Sequence, residues 1–149
     1  MVAIAQLILI IDDSPTIRAI LEMIVLREGY VAQSFPDGYA ALHWLASPEG
    51  RPPALMFLDL TMPRMDGLSV LRHLKSKPAL AAVPVIVLTS REGTLDRLKA
   101  RLAGASEYLT KPFTQEEITA LLRRYLDDAA QAALPIAYDH LIFQPQGER

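Results

Sequence analysis

A chain of 149 residues, 51% apolar and 21% charged, is long enough for one domain with a sizeable core and too apolar to be disordered. A net charge of −2 and a pI near 5.9 give no basic bias toward a nucleic-acid backbone, and the absence of cysteine excludes disulfides and thiolate-held metals. No apolar run approaches the ~20 residues that cross a bilayer, and residues 2–11 lack the basic start of a secretory signal, so a cytoplasmic location without membrane insertion is the expectation.

Short apolar runs alternate with amphipathic stretches. Residues 7–11 are an uninterrupted, β-branched-rich run suited to a strand buried on both faces. Ser14-Pro15 then signals a helix start, with Ser14 as N-cap and Pro15 in the first turn. Ile17, Ile20, Leu21, Ile24 and Val25 form a stripe read as core, and Gly29 closes the helix. A second strand is predicted over 30–35, and Asp37-Gly38 opens a helix through Leu42 and Leu45. After a Pro- and Gly-marked loop, residues 54–58 form a third buried strand ending at Asp59. A helix beginning near Asp66-Gly67 carries Leu68, Leu71 and Leu74. A fourth strand over 85–88 ends at Thr89-Ser90. The next helix carries Leu95, Leu98 and Leu102 and stops at Gly104. Glu107-Tyr108-Leu109 is a short fifth strand before Lys111-Pro112, and Thr114 with Glu117 forms a capping box for a last helix bearing Ile118, Leu121, Leu122 and Tyr125.

Five strands alternating with five helices predict a doubly wound α/β fold, a five-stranded parallel sheet with helices on both faces. Residues 1–126 make the domain. Residues 127–149, with Pro135, Pro145 and the apolar Leu134, Ile136, Tyr138, Leu141, Ile142 and Phe143, are read as a C-terminal extension without a separate effector domain. The extension is expected to pack on its own domain or on a twin subunit.

Sites in open α/β sheets form beyond the carboxyl ends of the strands. Asp12 and Asp13 follow strand one, Asp59 follows strand three, Thr89 and Ser90 follow strand four, and Lys111 lies past strand five. Three gathered carboxylates repel unless a cation joins them, and all-oxygen ligands suit a hard ion such as Mg²⁺. With that charge offset, a carboxylate can attack a phosphoryl donor, while a lysine ammonium and a hydroxyl contact the phosphoryl oxygens.

In this order the pieces resemble the receiver domain of bacterial two-component response regulators, whose fold is flavodoxin-like: Asp12-Asp13, Asp59, Met62-Pro63 with Asp66-Gly67, Thr89-Ser90 and Lys111-Pro112, over roughly residues 6–126. The resemblance implies that Asp59 is the phospho-acceptor. It implies that Asp12, Asp13, Asp59 and the backbone carbonyl of Thr61 hold Mg²⁺ or another divalent cation such as Mn²⁺, with Asp13 a direct ligand. Thr89 and Lys111 would contact the phosphoryl group. Tyr108 would be an aromatic switch acting with Thr89, and Lys111-Pro112 would be cis. Thr61 and Glu92 would flank the path of attacking water. A histidine kinase or phosphotransfer protein would be the donor. Output would pass through the face formed by the fourth helix, fifth strand and fifth helix, with a homodimer left open and no direct nucleic-acid contact. The closest members in kind are stand-alone regulators of chemotaxis or motility, or intermediates in a phosphorelay. These are signalling proteins rather than turnover enzymes, although they assist their own Mg²⁺-dependent phosphorylation and dephosphorylation.

Plainer readings exist for each residue. Asp12-Asp13 could be a cap cluster, Asp59 a loop acid, Thr89 a helix cap, Lys111 a surface lysine and Tyr108 a packing residue. Adjacent acids ending a buried strand are costly without a partner, which favours the functional reading. Trp44, His43, His73 and His140 are read as structural or exposed. Two other function classes remain. One is a phosphorylation-independent docking or dimerisation module. The other, disfavoured, is a phosphatase of the haloacid dehalogenase kind, which would carry Asp-x-Asp after its first strand.

Overall fold

The computed structural model describes residues 5–62, 66–90 and 93–127. The expectations placed on Pro63, Glu92 and the extension beyond Asp127 lie outside the described residues.

Five strands and five helices alternate: β1 (Leu7–Ile11), α1 (Pro15–Arg27), β2 (Val31–Phe35), α2 (Gly38–Ala46), β3 (Leu55–Asp59), α3 (Gly67–Ser76), β4 (Val85–Thr89), α4 (Thr94–Leu102), β5 (Glu107–Thr110) and α5 (Gln115–Leu122), with a π-helical turn at Arg123–Asp127. All strand pairs are parallel, in the order β2-β1-β3-β4-β5. The expected doubly wound sheet is therefore present.

Every residue of β1, β3 and β4 is buried, because helices cover both faces of these central strands. Alternation sorts their side chains into two cores. Leu9, Ile11, Met56, Leu58, Val85 and Val87 pack with Val70, Leu71 and Leu74 of α3, Ala41 of α2 and Ala100 of α4. Ile8, Ile10, Leu55, Phe57, Ile86 and Leu88 pack on the other side with Leu21, Ile24 and Val25 of α1 and Ile118, Leu121 and Leu122 of α5. Trp44 packs at the rim of the first core, 5.8 Å from the Phe35 ring, which bears out its structural reading.

Local chemistry starts and stops the helices as the sequence indicates. Ser14 Oγ accepts from the Ile17 N–H, and Asp37 Oδ1 accepts from the Ala40 N–H. The Thr114–Glu117 capping box is complete. Gly29 adopts φ +93° just past α1, a conformation that favours glycine.

The stripe read as core in α1 differs from expectation, and the leucines of α4 face solvent. In α1, Leu21, Ile24 and Val25 are buried, but Ile20 is exposed and Met23 and Leu26 lie beside it in solvent. In α4, Leu95, Leu98 and Leu102 are 62%, 50% and 78% exposed, and Ala100 is the buried residue. Periodicity locates a stripe without saying what it faces. Here the small Ala100 faces the sheet, and the leucines point away.

Candidate functional site

The strand order sets the site. From β1 the chain crosses to one side to make β2 and later returns on the other side to make β3. The carboxyl ends of β1 and β3 thus meet where the winding reverses, the usual place for a crevice. Ile11 pairs with Leu58, so Asp12 and Asp59 emerge at the same level. Asp59 pairs with Leu88, which puts Thr89 one residue beyond it on the next strand. The Lys111 N–H donates to the Thr89 carbonyl at 2.7 Å and carries the fifth strand end into the same group.

The side chains converge. Asp12, Asp13 and Asp59 each offer a carboxylate oxygen within 4.8 Å of the others. Asp12 and Asp59 are buried, whereas Asp13 is exposed. The Lys111 ammonium donates to Asp12 Oδ2 at 2.8 Å and lies 3.4 Å from Asp59 Oδ2. Asp12 is tied further: its Oδ1 accepts from the Ser14 N–H at 2.9 Å, and its carbonyl accepts from Arg18 at 2.8 Å. The Thr61 N–H donates to Asp59 Oδ1 at 2.9 Å. The peptide before Pro112 is cis, as expected.

Charge balance at Asp59 follows from these contacts. Burial raises its pKa above the ordinary carboxylate value and Asp12 adds to the rise, against the Thr61 N–H and the Lys111 ammonium, which lower it. One ammonium shared between two carboxylates leaves the cluster with surplus negative charge. A hard divalent cation fits this all-oxygen donor set.

Thr89, fully buried at the end of β4, has its hydroxyl 3.0 Å from that of Thr61. A single sequence carries no signal for this hydroxyl pair, which joins the loop after β3 to the end of β4. Tyr108 is half-buried on β5 against the first core, with the Arg97 guanidinium 4.8 Å over its ring. Sequence reasoning also missed Arg97, as well as the Arg18 contact that steadies Asp12. Ser90, His43 and His73 are exposed.

A family model described as "Response regulator receiver domain" matches residues 8–123. The chain belongs to the response regulator receiver family. This receiver is 35% identical over 119 residues to Protein PilG of Pseudomonas aeruginosa, covering 80% of this chain and 86% of PilG. It is 38% identical over 144 residues to the response regulator MprA of Mycobacterium ulcerans, covering 93% of this chain. The receiver spans 60% of that protein's length. Among solved structures, the Mn²⁺-bound form of response regulator Rcp1 superimposes with a TM-score of 0.73 at 26% identity, covering 82% of this receiver and 95% of Rcp1. The receiver is thus a two-component signalling module, of a family that works with histidine kinases and phosphotransfer proteins. No described helix is long and apolar enough to cross a membrane.

Proposed function

We propose that this receiver accepts a phosphoryl group on Asp59 from a histidine kinase or phosphotransfer protein and passes the signal on through protein contacts. The observation that carries this reading is the Asp59 carboxylate itself. It is buried at the end of β3, beside two further carboxylates and 3.4 Å from the Lys111 ammonium. Such a group has no structural task that would offset its burial.

In the transfer, an Asp59 carboxylate oxygen attacks phosphorus and forms a P–O bond as the P–N bond to the donor imidazole breaks. The imidazole leaves with the electron pair and takes a proton from solvent. Lys111, already between Asp12 and Asp59, neutralises charge on a phosphoryl oxygen, and Thr89 donates its hydroxyl to another. Asp12, Asp13, Asp59 and the Thr61 carbonyl would hold Mg²⁺ or Mn²⁺, which supplies electrostatic stabilisation of the transferring group. Asp12 is held by Ser14 and Arg18, so it is oriented before any ion binds.

Tyr108 would report the state of Thr89 to the α4–β5–α5 face, where Leu95, Leu98 and Leu102 offer apolar contact area to a downstream protein. The receiver unit would end near residue 126, with 127–149 as an extension. A cytoplasmic location goes with this partner set. The test is intact-protein mass after incubation with Mg²⁺ and a small acyl-phosphate donor. One phosphoryl gain is expected in the native chain, and none in Asp59→Asn or without divalent cation. A gain that survives in Asp59→Asn would sink the assignment.

A further inference from the structure

We propose that the extension beyond Asp127 folds back along the outer face of α1, its apolar residues between Leu134 and Phe143 lying on a ridge of Ala19, Ile20, Met23 and Leu26. All four ridge residues are exposed, with Ile20, Met23 and Leu26 at 36%, 45% and 59%. Among the exposed residues of α1, Arg27 alone is charged. A surface helix ordinarily turns a charged face to water, and an apolar outer face calls for a cover.

The course of the chain supplies one. Leu126 is buried in the core that holds Ile24 and Val25 of α1. The Arg123 guanidinium pairs with Glu28 at 3.3 Å, and the Tyr30 hydroxyl donates to the Asp127 carboxylate. Glu28 is the C-cap of α1 and Tyr30 follows it by two residues, so the described chain ends beside the last turn of α1, the turn that carries Leu26. From there seven residues reach Leu134, roughly 23 Å when extended, against about 20 Å for the whole of α1. Residues 127–143 hold Leu134, Ile136, Tyr138, Leu141, Ile142 and Phe143, with three aspartates and no lysine or arginine, which suits a ridge whose one charge is Arg27. A second copy suits it less well. One face of a helix this long presents about 200 Å², well short of the ~800 Å² that each partner of a stable dimer buries. A tethered segment needs no such area, because its effective concentration at the ridge is on the order of millimolar.

Hydrogen–deuterium exchange of the full chain, read by peptide mass, tests the docking. In the native chain the amides of residues 134–143 are expected to exchange at least ~10-fold more slowly than in a free peptide of the same sequence. Met23→Lys, at an exposed position, puts a charge in the middle of the ridge. It is expected to return those amides to the free-peptide rate while β1 and β3 stay protected, and Leu26→Lys is expected to do the same. Leu98→Lys, a like change on the exposed side of α4, is expected to leave them slow. Sedimentation of the native chain should give a monomer. Free-peptide rates in the native chain overturn the proposal, and so does protection that survives both ridge variants. Protection lost in Leu98→Lys but kept in the ridge variants moves the segment to α4 and overturns it as well. A native dimer that Met23→Lys dissociates gives the ridge to a second copy instead.

Discussion

Replacing Asp59 with Asn should make the metal-free protein more stable. In the native chain the Asp59 carboxylate lies within 4.8 Å of ligand oxygens of Asp12 and Asp13. At an effective dielectric near 20, a like-charge contact at that distance costs about 3.5 kcal/mol. Buried Asp12 imposes most of that cost, while exposed Asp13 is screened and imposes less. Lys111, 3.4 Å away, returns about 5 kcal/mol. The pair terms nearly cancel, so the burial of an ionised carboxylate decides the balance, leaving a net penalty on the order of 1–2 kcal/mol. The amide keeps the shape and still accepts from the Thr61 N–H, and Lys111 keeps Asp12 as its partner at 2.8 Å. In chelator at neutral pH, Asp59→Asn should therefore melt roughly 2–8 °C above the native chain. Because the folded pKa of Asp59 is raised, the fold binds this proton more tightly than the unfolded chain does. Native stability is therefore gained as pH falls through the folded pKa toward the unfolded value of about 3.9, and the advantage of the variant shrinks over that window. Added Mg²⁺ should narrow or invert the ranking, because only the native chain keeps its full ligand set. Scanning calorimetry in chelator and in Mg²⁺, at several pH values, measures all of this. A variant that melts at or below the native temperature in chelator, or an advantage indifferent to acidification, would refute the reasoning.

Lys111→Met should lower the initial rate of Asp59 phosphorylation by about 100-fold, the usual cost of losing one donor to a developing charge, as read by intact mass against time. Leu71→Ala, at a fully buried position, should cost about 2–5 kcal/mol in urea unfolding, whereas Leu102→Ala, 78% exposed, should stay within about 0.5 kcal/mol. Gly67→Ala should destabilise the start of α3, because a Cβ there would meet the Leu60 Cα at 2.4 Å. Backbone must shift to admit it, and since Leu60 follows Asp59 directly, the affinity for divalent cation should fall along with the melting temperature.

Much of the fold was legible because each central strand is an unbroken apolar run and each helix carries its own start signal. The run Leu7–Ile11 can satisfy two buried faces only in a covered sheet, and Ser14, Asp37 and Thr114 mark helix starts by chemistry that the structure repeats bond for bond. The site residues were legible for a related reason: parallel topology sends every strand end to the same edge, so Asp12, Asp59, Thr89 and Lys111 had to gather once the strands were placed. Orientation was less legible. Leu95, Leu98 and Leu102 satisfy the periodicity of a core stripe as well as Ile118, Leu121 and Leu122 do, yet the former lie in solvent and the latter are buried. What distinguishes them is how α4 sits on the sheet, with Ala100 as its buried contact, and a helix-local pattern contains no term for that. The Thr61–Thr89 contact was invisible for the same reason, since it depends on two side-chain rotamers, one on the loop after β3 and one at the end of β4.

Among the described residues, the buried polar or charged side chains are Asp12, Asp37, Asp59 and Thr89. Asp37 has a local purpose: it caps α2 through the Ala40 N–H. The other three converge at one end of β1, β3 and β4, where the same strands are otherwise wholly apolar. A fold of this kind needs nothing polar there; apolar residues at these positions would extend the two cores and remove the repulsion between Asp12 and Asp59. Departures from local consistency that persist without a structural benefit mark function. On that ground the buried carboxylates, more than any one motif, support the proposal that the crevice between β1 and β3 is the phosphoryl-accepting site.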